Sequence, residues 1–266
     1  MSNTLPSIII SCDLGQVNDY TALAVVERRD LPTGRTEHVV NVAAYFDGHE
    51  DQPRVLALPQ TKGQYDIVHL ERLPLGTPYT DLPPRLRAIE ARVRQRWVEQ
   101  AWAATGRAVP VFPAEAPVAF VVDQTGVGRP VVDLLREAGL FPVAVTITGG
   151  DQTIRAGDDE YRVPKRNLVG AVQAAMQAKR LRAAAALPEW PALRRELTNF
   201  KARISVGGHD SYGAGAGEDW REGTNDDLVL AVALACWYGE HELGGMSLED
   251  LAPYVRHTPN AAYEAQ

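Results

Sequence analysis

Residues 7–24 read SIIISCDLGQVNDYTALA, and this stretch decides the fold. Ile8, Ile9 and Ile10 form an apolar run that ends in a carboxylate, Asp13. A Leu14-Gly15 turn follows, then a second carboxylate at Asp19, then a second apolar run from Thr21 to Val26. β-Branched runs bounded by Gly and Asn-Asp signals are strands rather than helix. The short return predicts a hairpin. An Asp beside buried Ile is costly unless its charge is compensated, by a metal ion, a basic partner or local hydrogen bonds. Taken alone, an Asp-x-Gly is more often a turn residue bonding its own loop. Further carboxylates reaching the same place would change that balance.

The 266 residues, 45% hydrophobic and 23% charged, are ample for one well-packed domain. No apolar run is long enough to span a membrane and no basic-start signal peptide is present, so a cytoplasmic location is expected. Cys12 and Cys236 lack zinc spacing and are expected as reduced thiols. The formal net charge of −7 argues against a generic nucleic-acid binder, but the charge is uneven. Arg85 to Arg107 and Arg162 to Arg203 are basic, while Asp210 to Glu264 is acid-rich, and a polyanion responds to the local field.

Along the chain, His38 to Phe46 reads as a third strand and Asp47 to Tyr65 as a surface excursion broken by Pro and Gly. Asp66 to Leu73 resumes a strand. Leu86, Ile89, Val93, Trp97 and Ala101 lie at helical spacing within Pro83 to Ala104, with the arginines off that face as solvated surface. Val118 to Val122 is a buried strand ending in Asp123. A helix from Pro130 to Ala138 and a strand from Pro142 to Ile147 make a right-handed parallel crossover.

A polar loop is predicted over Thr148 to Glu160. After Pro164 comes a helix with Leu168, Val172, Ala175 and Met176, and Lys165 and Arg166 stand in its first turn. Cations there oppose the helix dipole, which fits either solvated charge or an external anion. A helix from Trp190 to Phe200 and a strand from Lys201 to Val206 precede a Gly-rich loop. Thr224 or Asn225 then caps a nearly wholly apolar helix, Leu228 to Tyr238, with Asp226 and Asp227 at its start. The domain is expected over residues 1–243, with 244–266 a weakly specified tail.

Asp13, Asp123 and Asp227 thus share one placement, at the end of a buried strand or the start of a buried helix. Three carboxylates converge ionised only with cations among them, and all-oxygen ligation points to Mg²⁺ or Mn²⁺ rather than zinc.

With these residues in view, the chain resembles the nuclease domain of the large terminase subunit of tailed phages, an RNase H-like fold close to the RuvC resolvases. The resemblance rests on DLGQVNDYTALAVV at 13–26, FVVDQTGVGRPVVDLL at 120–135, VPKRNLVGAVQAAMQ at 163–177 and NDDLVLAVALA at 225–235, in that order. It implies an α/β protein with a mixed central sheet, antiparallel first strands followed by parallel ones, and helices on both faces. It also implies a DNA endonuclease in which Asp13, Asp123 and Asp227 are catalytic and hold two Mg²⁺ or Mn²⁺ ions, with Asp19 and Asp226 as further acidic positions. Lys165 and Arg166 become candidates for contacts to double-stranded DNA.

The family normally carries an ATPase motor ahead of this domain. Only Met1 to Pro6 precede the first strand here, no GxxxxGK[ST] loop occurs, and Asn225 stands where a His is common. The expected partners are therefore a separate packaging ATPase, the small terminase subunit and the portal; the alternatives are a shortened form or an orphan nuclease. Other readings of the chain are an actin-like or sugar-kinase-like ATP binder, a RuvC-like junction resolvase, and a non-catalytic DNA-binding module.

Overall fold

A computed structural model describes residues 5–15, 19–41, 54–105, 111–126, 129–206 and 226–243. Its centre is strand β1, Ser7–Asp13, whose residues alternate between two cores as a pleated strand requires. Ile8, Ile10 and Cys12 join one core, and Ile9 joins the other. β1 pairs antiparallel with β2, Ala22–Asn41, which pairs antiparallel with β3, Arg54–Arg72.

On its other side β1 runs parallel to β4, Val118–Asp123. β4 is parallel to β5, Val143–Thr148, and β5 to β7, Glu160–Pro164. Two short edge strands, β6 at Ile154–Gly157 and β8 at Leu181–Ala183, complete an eight-stranded sheet of order β6-β7-β5-β4-β1-β2-β3-β8. Antiparallel first strands followed by parallel ones is the arrangement that the RNase H-like resemblance implies.

Helices cover both faces. α1, Leu82–Thr105, buries Leu86, Ile89, Trp97 and Ala101 on the Ile10 face, and α2, Arg129–Glu137, adds Val131 and Leu135. On the Ile9 face lie α3 (Lys165–Gln177), α4 (Trp190–Val206) and α5 (Asp227–His241). Nearly every residue of α5 is buried, because it packs on β1, β2 and β3 and also against α3 and α4. A helix apolar all round is stable only when surrounded in this way. Among the described residues no helix is long and apolar enough to cross a membrane, and Cys12 and Cys236 are both buried and free.

Several local expectations change. Residues 38–41 are the end of β2 rather than a separate strand, and β3 begins at Arg54, inside the expected surface excursion. Pro32 and Gly34 sit at a register shift between Pro32 and Thr36 in a two-stranded ribbon. A ribbon leaves one side of each strand unpaired, which is where Pro is tolerated.

The expected loop over Thr148 to Glu160 contains β6, turned onto β7 through Asp158-Asp159, with Gly157 opposite Glu160. Residues 201–206 continue α4 and form no strand; neither Gly nor Pro interrupts the chain from Ala192 to Val206. Met176, expected with Leu168 and Val172 on the buried face of α3, is 41% exposed. The expected capping residues Thr224 and Asn225, the Gly-rich loop before them, residues 42–53 and the tail from 244 lie outside the described residues.

Candidate active site

The parallel pairing of β1 and β4 sets Cys12 opposite Val122, so Asp13 and Asp123 end their strands side by side. Both follow the parity of Ile9 and Val121, the face on which α5 packs. The row continues through Ala22, opposite Asp13, to Arg72, opposite Ala22. The N-terminus of α5 brings Asp226 and Asp227 over the same end. Asp13, Asp123 and Asp227 are only 7%, 6% and 7% exposed.

The electrostatics follow from this crowding. Burial raises Asp13 well above the usual carboxylate range, and Asp123, Asp227 and Asp226 raise it further. The Asp123 side chain also lies within hydrogen-bonding reach of Asp13, which further favours the protonated form of Asp13. Asp227 is pushed up to about 6, first by burial and then by Asp226 and Asp19, against the pull of Arg72. Asp19 is exposed and sits at the rim. Asp123 also accepts from Thr125 N–H at 2.7 Å, which anchors it to its own turn.

Arg72 and Glu196 belong to this site and were not recognised from the sequence. Arg72 hydrogen-bonds Glu196 and stands 3.5 Å from Asp227. The second oxygen of Glu196 accepts from Val229 N–H at 3.0 Å in the first turn of α5. Burial lifts Glu196 to about 7 against both partners. A signal was present: Glu196 lies three residues after Leu193, on the buried face of its helix, and a charge there marks a partnered group.

Val163, Pro164 and Leu168, the chain neighbours of Lys165 and Arg166, offer no carboxylate. Their partners come from elsewhere in the fold: Lys165 Nζ stands 3.7 Å from Asp226, and Arg166 pairs with Asp151 at 2.8 Å. Lys165 thereby sits at the edge of the acid cluster.

The donor set fits a hard cation in kind, being all carboxylate oxygen with mutual repulsion to relieve. Asp227 Oδ2 is buried and takes no hydrogen bond among the described residues. As placed, Asp13 and Asp123 face each other and Asp227 faces Arg72. Among the described residues no group of three or more His, Cys, Asp or Glu stands arranged to hold a metal ion.

The turn behind Asp13 is closely built. Gly15 N–H donates to Thr21 Oγ1 at 3.1 Å, and Tyr79 O–H donates to Gly15 C=O at 2.7 Å. A Cβ at Gly15 would overlap the backbone of Asp19 and Tyr20. Gly15→Ala is therefore expected to destabilise the protein by roughly 1–3 kcal/mol, as overpacking does, measured by denaturant unfolding. A variant as stable as the parent would show that the turn yields easily.

No protein-family model matches the chain, and no curated protein matches it in sequence. Among solved structures it is similar to the large terminase nuclease from thermophilic phage G20c, with a TM-score of 0.41 and 16% identity over 89% of this chain and 83% of that chain. It is also similar to the human cytomegalovirus terminase nuclease domain soaked with Mn, with a TM-score of 0.40 and 10% identity over 92% of this chain and 88% of that chain. Identities this low do not carry an activity across.

Proposed function

We propose that the chain is a divalent-metal-dependent endodeoxyribonuclease of the large terminase type, hydrolysing phosphodiester bonds of double-stranded DNA. The observation that carries this reading is the meeting of Asp13, Asp123 and Asp227, all buried, at one edge of the sheet. Asp13, next to Asp123 in the row and within electrostatic reach of Asp227, would hold two such ions together with Asp123 and Asp227. Bound Mg²⁺ or Mn²⁺ would supply an acidified water and neutralise charge on the leaving 3′ oxygen. Asp19 and Asp226 add negative field at the rim. The rigid strand ends hold Asp13 and Asp123 in place, which is what positioning a phosphate for in-line attack requires.

Plasmid DNA incubated with Mn²⁺ or Mg²⁺ is expected to be nicked or linearised, and EDTA is expected to stop it. Intact plasmid under all conditions, with tight ATP binding instead, would favour the actin-like reading. Within the nuclease reading, a separate packaging ATPase, the small terminase subunit and the portal are the natural partners.

Lys165 and Arg166 are proposed to hold the DNA backbone, exchanging Asp226 and Asp151 for phosphates. The double alanine variant, titrated with DNA over a salt series in Ca²⁺, is expected to lose roughly 0.9 in log–log slope per contact removed. An unchanged slope would place the DNA path over another face, such as Arg85 to Arg96.

A further inference from the structure

Arg72 is held on three sides. One Nη donates to Glu196, the guanidinium lies over the Tyr20 ring at 5.0 Å from its centroid, and Nε stands 3.5 Å from Asp227 Oδ2. The last contact is an ion pair without a hydrogen bond: Arg72 Nε and Asp227 Oδ2 are both buried, and neither has a hydrogen-bond partner among the described residues. Arg72 is therefore committed to Glu196 and only loosely to Asp227. Glu196 is itself fixed, because Val229 N–H, two residues beyond Asp227, donates to its other oxygen.

We propose that Arg72 is the resident counter-cation of the acid cluster, shared between Asp227 and Glu196 in the metal-free protein and left to Glu196 alone when a divalent cation takes Asp227. This rests on the reading of the cluster as a divalent-metal site. Two cations compete for one carboxylate, so each weakens the hold of the other by the same factor. Glu196 is then a positioning residue: it keeps Arg72 close enough to compensate Asp227 and provides the place to which Arg72 retires. Without the Glu196 charge, Arg72 has Asp227 as its one carboxylate partner, and an incoming ion must break a tighter pair. With Arg72 removed, Glu196 is left only its smaller direct interaction with Asp227 and Asp226.

The test is Mn²⁺ binding by the DNA-free protein, followed by the electron paramagnetic resonance of free Mn²⁺. Asp13→Asn serves as a control that the counted ion sits at the cluster. Arg72→Gln is expected to bind Mn²⁺ roughly tenfold more tightly, within the usual range of site–site coupling. Glu196→Gln keeps an oxygen for Val229 N–H and is expected to bind roughly fivefold more weakly. In the Arg72→Gln background, Glu196→Gln is expected to change almost nothing. Additive effects would mean two independent through-space charges and would overturn the proposal, as would weaker binding by Arg72→Gln. If Arg72→Gln does not fold, Arg72→Met takes its place in the same cycle, read by the same criterion. A parent protein that takes up no Mn²⁺, or whose uptake survives Asp13→Asn, overturns the proposed function and this inference together. Uptake lost in Asp13→Asn but additive in the cycle overturns only the inference.

Discussion

Under the proposed function, Asp13→Asn is expected to lower DNA cleavage by roughly a thousandfold or more, because the site would lose the charge of a metal ligand. The substitution keeps the volume of the side chain and one oxygen, so the fold should persist. Asp13 is buried against Asp123 and within reach of Asp227 and Asp226, all of like sign. Asn cannot ionise and so escapes this repulsion at every pH, and the metal-free variant should melt at or above the temperature of the parent. Two measurements decide the matter, plasmid cleavage in Mn²⁺ and thermal melting in EDTA. Retained cleavage would place the chemistry elsewhere. Lost cleavage with a much lower melting temperature would mean that Asp13 is structural.

The metal-free protein should also lose stability as pH rises from 5 to 8. Asp227 is raised to about 6 and Glu196 to about 7, with Asp13 raised as well, all first by burial. Each group therefore binds its proton more tightly in the folded state than in the unfolded one. The stability this provides is complete below the unfolded values near 4 and is lost as pH climbs through the folded values. An Asp moved from about 3.9 to about 6 loses about 3 kcal/mol in all between pH 4 and neutral pH, about half of it above pH 5. Asp66 and Glu160 are lowered and act in the opposite sense, but only in the acid range below this window. Melting in EDTA at pH 5 and pH 8 should show the decline, and Mn²⁺ should restore stability at pH 8 by binding the folded state. A melting temperature that rises steadily across this range would contradict the burial of the acid cluster.

What could be read from the sequence was whatever is encoded within a few residues. The apolar runs ending in Asp13 and Asp123 and the all-apolar helix beginning at Asp227 are each continuous in the sequence, and each shows where its element ends or starts. The candidate acids were legible because they stand at those stops. The β2–β3 ribbon was not, because Pro32, Gly34, Pro59 and Gly63 signal turns in isolation and are accommodated only by an unpaired ribbon edge. The end of α4 was misread because Ile204 and Val206 alternate like a strand, while the helix they continue begins at Trp190.

The partners of the charged groups lay further still from any local signal. Arg72 meets Glu196 across 124 residues, Lys165 meets Asp226, and Arg166 meets Asp151. Periodicity and capping are properties of a segment, so the sequence by itself determined which residues end buried elements. Coulombic partners are chosen by distance in space, so only the tertiary structure decided which charges those residues face.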